Sequence, residues 1–103
     1  MPSLEQRESA LETQFAHQEE LKFRARERAV RTLAKWAADR LGKTEQAAEL
    51  YAAEIVAADV TNSRTDATIE RISADLSGVG VREEHVTRMM KRFLADAGIS
   101  VRA

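Results

Sequence analysis

Apolar side chains recur along this chain at three- and four-residue spacing, and the strict alternation that marks a strand appears nowhere. Leu4, Leu11 and Phe15 share one narrow helical face, and Phe23, Val30, Ala37 and Leu41 share a second. The second face is turned by about a quarter of a rotation from the first, so the phase slips around His17–Leu21 and predicts a bend, hinge or frayed turn there. Leu33 and Trp36 point to further sides, which predicts a central helix over residues 30–41 with neighbours around it. Ala47, Tyr51, Ile55 and Ala58, with Leu50 beside them, mark the next helix, and Ile69, Ile72 and Leu76 a shorter one. Val86, Met89, Met90, Phe93 and Ala97 mark the last.

Punctuation falls between these stripes. Ser3 with Gln6 forms a capping-box pattern, and Gly42 is a natural left-handed stop. Thr44 is a candidate cap for the second helix, and the polar connection 61–66 offers Thr65 and Asp66 for the third. Gly78, Gly80 and Gly98 close the remaining segments. The predicted fold is all-α, a small bundle of about four helices with a mobile N-terminal helical extension. We divide it into an N-terminal mobile segment, residues 1–16, and a helical bundle domain, residues 17–103. The first segment has few apolar anchors, and an isolated helix of about 13 residues is marginal in water without something to pack on.

Charge sharpens that division. Residues 1–20 carry Glu5, Glu8, Glu12, Glu19 and Glu20 against Arg7, a net −4. Residues 21–43 carry Lys22, Arg24, Arg26, Arg28, Arg31, Lys35, Arg40 and Lys43 against Glu27 and Asp39, a net +6. An acidic block running straight into a basic one often marks an interaction surface. The overall charge is only −1.

Candidate chemistry is sparse. There is no cysteine, hence no disulfide, thiolate nucleophile or cysteine zinc site. His17 and His85 are the only histidines and stand in no metal-ligand spacing; His85, after Glu83 and Glu84, reads as a solvated first turn. No serine sits in a nucleophile elbow, and Gly78-Val79-Gly80 lacks the rest of any phosphate-loop fingerprint. We therefore expect no catalytic residue, no cofactor and no enzyme activity. The longest apolar runs are four residues, too short for a signal segment or a membrane span. The basic surface Lys22, Arg24, Arg26, Arg28 and Arg31 supports one alternative, a small nucleic-acid- or nucleotide-binding regulatory module on helix 22–31. Against it, the nearby aromatics Phe23 and Trp36 lie on helix faces that read as core or partner contact rather than as base platforms.

One stretch is more specific. Phe15-Ala16-His17-Gln18-Glu19-Glu20-Leu21-Lys22-Phe23-Arg24-Ala25-Arg26 leads into Leu33, Trp36-Ala37-Ala38 and Leu41-Gly42. This resembles the signature of the zeta subunit, the ATPase inhibitor of alpha-proteobacterial ATP synthases. Leu4-Glu5-Gln6-Arg7-Glu8 is similar to that family's opening segment, with Leu4 for its aromatic and Gln6 for an acid. Tyr51-Ala52, Val56-Ala57-Ala58-Asp59 and Ala74-Asp75-Leu76 resemble its later helices, whereas Thr32 and Val60 depart from its pattern. The resemblance implies an inhibitor of ATP hydrolysis whose N-terminal segment enters an alpha/beta catalytic interface of the soluble head and blocks rotation. It implies Leu4, Arg7, Glu8, Leu11, Phe15 and His17 as partner-binding residues. The implied partners are the alpha and beta subunits, with gamma a further candidate. No nucleic acid and no membrane insertion are expected, the free protein is expected to be a monomer, and the setting is cytoplasmic, peripheral to membrane-bound ATP synthase.

Overall fold

The computed structural model describes residues 4–62 and 64–99, with side chains from residue 10 onward. Four helices follow one another: α1 (Leu4–Arg40), α2 (Glu45–Asn62), α3 (Thr65–Leu76) and α4 (Glu83–Asp96), with a single 3-10 turn at Ser77–Val79. Among the described residues there is no strand. The molecule measures 63 × 31 × 21 Å, and the long dimension belongs to α1, whose 37 residues span about 55 Å.

The core is built by the C-terminal half of α1 and all three other helices. Val30, Leu33, Ala34, Ala37 and Ala38 of α1 meet Tyr51, Ala52, Ile55 and Val56 of α2. Ile69, Ile72 and Leu76 of α3 and Val86, Met90 and Leu94 of α4 close the cluster. Alanines on α1 let its neighbours approach closely, and α1 packs on α2 most extensively, then on α4, then on α3. One side of this central helix still faces water, at Arg28, Thr32, Lys35 and Asp39.

Two of the four predicted glycine stops, Gly42 and Gly98, are Schellman motifs. After α1, Gly42 adopts φ +73°; its N–H donates to the Asp39 carbonyl and that of Lys43 to the Ala38 carbonyl, each at 3.0 Å. After α4, Gly98 at φ +81° donates to Ala95 and Ile99 to Leu94. Thr44 caps α2 as expected, its Oγ1 accepting from Ala47 N–H at 3.2 Å. Ser3, the proposed cap of α1, lies outside the described residues.

Three expectations need correction. Helix α1 runs unbroken through His17–Leu21, with no interruption at the phase slip. Ala25, Ala29 and Leu33 carry the Leu11–Phe15 face directly into the core. The connection after α2 is shorter than 61–66, because Thr61 and Asn62 belong to the helix. Finally, α3 is preceded by Arg64 in extended conformation with no side-chain cap, and Thr65 is already helical.

Candidate functional site

Every residue from 10 to 24 is exposed, and burial along α1 begins at Ala25. This stretch, with the preceding turns of α1, forms an arm that carries large apolar groups into water. Leu11 and Phe15 are one helical turn apart and each 65% exposed. Leu21 and Phe23 follow at about half exposure. Scattered apolar groups on a surface mean little, but a neighbouring pair of this size on a projecting helix is the form an interaction surface takes. His17, the last residue of the sequence-predicted partner set, is also exposed. The side chains of Leu4, Arg7 and Glu8, from the same set, lie outside the described residues.

The five basic residues at 22–31 do not form one free patch. Lys22 pairs with Glu19 at 3.5 Å, Arg24 with Glu20 at 2.8 Å and Arg31 with Glu27 at 4.0 Å, all within α1 at helical spacing. Such exposed pairs contribute roughly 0–1 kcal/mol each and support the helix locally. Their effect on the surface is larger than on stability, because each places a carboxylate beside a cation. Arg28 is exposed without an ion pair among the described residues.

Arg26 is turned inward. Its Nε and Nη2 donate to both carboxylate oxygens of Asp59, at 2.9 and 2.8 Å, and its Nη1 donates to Thr65 Oγ1 at 3.1 Å. Asp59 is buried, and Thr68 Oγ1 donates to it at 2.6 Å. One fork thus ties α1 to α2 and α3 at the place where the arm leaves the bundle. The spacing of Glu20–Arg24 and Glu27–Arg31 could have been read from the sequence; the Arg26–Asp59 pair, separated by 33 residues, could not. Beside the fork, half-exposed Phe23 lines a cleft with Glu19, Lys22, Gly98 and Ile99.

Two further polar groups brace the bundle. The Tyr51 hydroxyl donates to Asp75 at 2.7 Å, and burial together with that carboxylate pushes the phenol far above its ordinary range. Arg71 links Asp75 and Glu54, at 3.3 and 3.7 Å. On the exposed face Lys35 pairs with Glu49, and that hydrogen bond holds the Glu49 carboxyl below the usual range. His85 is not a solvated end of α4: its ring meets Trp36 edge-on, centroids 5.3 Å apart, and the Arg40 guanidinium lies 5.6 Å over the same indole. Trp36 is itself only partly buried, packed at the margin of the core.

Among the described residues no three His, Cys, Asp or Glu side chains gather where they could hold a metal ion. Nor, among those residues, is any helix long and apolar enough to cross a membrane. A protruding helical arm on a compact helical base is instead what the geometry offers. Compared with known families, the ATPase inhibitor subunit zeta matches over residues 1–99, arm and bundle together. The chain belongs to that family. Neither a curated protein nor a solved structure matched it. As an ATPase inhibitor subunit the protein is regulatory, and its family ties it to ATP synthase. The zeta chain accordingly carries Leu11, Phe15, Leu21 and Phe23 exposed together on an arm that stands clear of its own core, whereas Leu50, at 68% exposure, stands apart from them on α2.

Proposed function

We propose that this zeta chain inhibits ATP hydrolysis by inserting its N-terminal segment, residues 1–16, at an alpha/beta catalytic interface of the ATP synthase head, where it blocks rotation. The observation that carries the reading is the exposure of Leu11 and Phe15 on one side of a preformed helix. A helix that presents apolar groups at i and i+4 is the ligand half of helix-in-groove recognition. Because the helix is formed before binding, little ordering entropy opposes docking. Flanking Glu8, Glu12 and Arg7 supply polar contacts at the rim of such a groove, and His17 closes the segment. The bundle stays outside as the bulky stop that keeps the segment from passing through. In this reading the protein is cytoplasmic and peripheral to the membrane-bound enzyme, and it contacts the alpha and beta subunits first.

The alternative of nucleic-acid binding through helix 22–31 draws less support. Lys22, Arg24 and Arg31 each already face a carboxylate, and Arg26 is committed to Asp59. Phosphate binding relies on clustered cations that release counterions, and this surface offers few unneutralised ones. The deciding experiment titrates the protein into the cognate ATP synthase while ATP hydrolysis is followed. Saturable loss of hydrolysis is expected; hydrolysis that continues undiminished at saturating protein sinks the proposal.

A further inference from the structure

The root of the arm is held in an unusual way. Between Arg24, where the continuous run of exposed residues ends, and the first large core side chain, Val30, α1 buries only Ala25 and Ala29. Val30, Leu33, Ala34, Ala37 and Ala38 fix the axis and roll of α1 within the bundle, but two methyl groups give the turn at its root little steric grip against bending. What braces that turn is the Arg26 fork: two hydrogen bonds to Asp59 of α2 and one to Thr65 of α3, with Thr68 of α3 holding the same carboxylate. A planar guanidinium held by three hydrogen bonds resists bending of the helix that carries it.

We propose that Arg26 is a positioning residue for inhibition: its fork to Asp59 and Thr65 aims the arm, so that arm and bundle meet the ATP synthase head as one rigid body. The inference rests on the arm-insertion reading above. Leverage makes the aim matter. Leu11 lies 15 residues ahead of Arg26, about 22 Å along a helix, so a 10° swing at the root moves it by about 4 Å. A displacement of that size takes an apolar anchor out of its pocket or drives the bundle into the surface it should rest on.

Arg26→Lys keeps the charge but cannot fork both carboxylate oxygens and reach Thr65 together. The natural chain lacks cysteine, so spin labels on Gln14→Cys and Lys91→Cys report the arm-to-bundle distance without interference. The expected result is a broadened or shifted distance distribution, a cooperative thermal melt, and about a tenfold rise in the protein concentration that half-inhibits ATP hydrolysis. Phe15→Ala serves as the contrast, weakening inhibition with the distance distribution unchanged. Should Arg26→Lys not fold, Thr65→Val removes a single bond of the fork and is expected to give the same pair of changes in milder form. A distance distribution identical to wild type overturns the aiming role, and so does full inhibitory strength from a variant whose arm is demonstrably loosened. The distance measurement does not use the enzyme, so an unloosened arm refutes the fork's role even where the wild-type protein inhibits, and a wild-type protein that fails to inhibit refutes the insertion reading alone.

Discussion

Phe15 and Leu33 stand 18 residues apart on α1, about five complete turns, and so occupy the same side of one unbroken helix. Leu33 is fully buried in the bundle, and Phe15 is 65% exposed on the arm. The stripe that α2, α3 and α4 cover over the second half of α1 therefore continues uncovered along the first half. A helix that carries a core-type face past the edge of its own core has the chemistry for a second set of neighbours.

The two positions should respond oppositely to the same truncation. Leu33→Ala removes a fully buried side chain and is expected to cost about 2–5 kcal/mol in denaturant unfolding. Phe15→Ala should change folding stability by less than about 0.5 kcal/mol, as surface substitutions do. It should weaken inhibition of ATP hydrolysis by about 2 kcal/mol, close to thirtyfold, as the loss of an aromatic anchor does. A large stability loss with inhibition intact would make Phe15 a core residue and remove the arm's anchor.

Much of this fold was legible in the sequence. Gly42 and Gly98 end helices because only glycine enters the left-handed region without strain, and Ile69, Ile72 and Leu76 fell on one face of α3 with no competing pattern. The bend expected at His17–Leu21 is absent because Ala25, Ala29 and Leu33 continue the first face into the core, and small, weakly hydrophobic alanines at 25 and 29 gave that continuity little weight in the sequence. Thr65 was read as a cap for α3, whereas its hydroxyl accepts from Arg26. Asp59, a carboxylate on an apolar face of α2, gave no sign of its partners, since Arg26 comes from 33 residues away and only the packed bundle brings them together. At the site, Leu11 and Phe15 were identifiable by spacing, but the split of the basic run into surface pairs and one buried fork was not.

Trp36, read from the sequence as core or partner contact, is only partly buried, which lowers the expected effect of its removal. Complete burial of a Trp makes its replacement by Ala cost about 3–5 kcal/mol. Here the indole lies at the margin of the core, with the His85 ring edge and Arg40 completing its surroundings. Trp36→Ala should cost about 2–3 kcal/mol by denaturant unfolding followed with circular dichroism. His85→Ala should remove about 0.5–1.5 kcal/mol, the scale of an edge-to-face aromatic contact. Loss of the full 5 kcal/mol at Trp36 would contradict the marginal position.

Tyr51 gives the protein an alkaline limit. Its phenol is raised in the folded state, by burial first and by Asp75 second, while in the unfolded chain it ionises near its ordinary value of about 10. Above that pH the unfolded chain releases the proton and the folded one keeps it, so the unfolded state binds fewer protons and stability falls as pH rises. The contribution is complete below about pH 10 and is lost on the climb above it. Wild type should therefore lose stability between about pH 9.5 and 11 more steeply than Tyr51→Phe, with lysine titration common to both. Since Tyr51 is the only tyrosine, its absorbance can report the ionisation directly. Parallel stability curves for the two proteins would count against a raised phenol.

Stepwise truncation from the N-terminus should separate function from folding along a single helix. Removing residues 1–15 deletes Leu11 and Phe15, which are exposed, and leaves α1 with the 25 residues from Ala16 to Arg40. The bundle should melt cooperatively within a few degrees of the full chain, and inhibition should be abolished. Extending the deletion to residue 24 removes only further exposed positions and two surface ion pairs worth roughly 0–1 kcal/mol each, so stability should decline little. Extending it to residue 29 is different. Ala25 and Ala29 leave the core margin, and Asp59 loses the guanidinium that balances it in a buried position. Stranding one member of a buried ion pair costs about 3–5 kcal/mol, a large share of the stability of a domain this small. Inhibition should thus vanish at the first cut and stability only at the last. If deletion of residues 1–15 already unfolds the bundle, the arm is part of the core and cannot be the segment that leaves it for a partner.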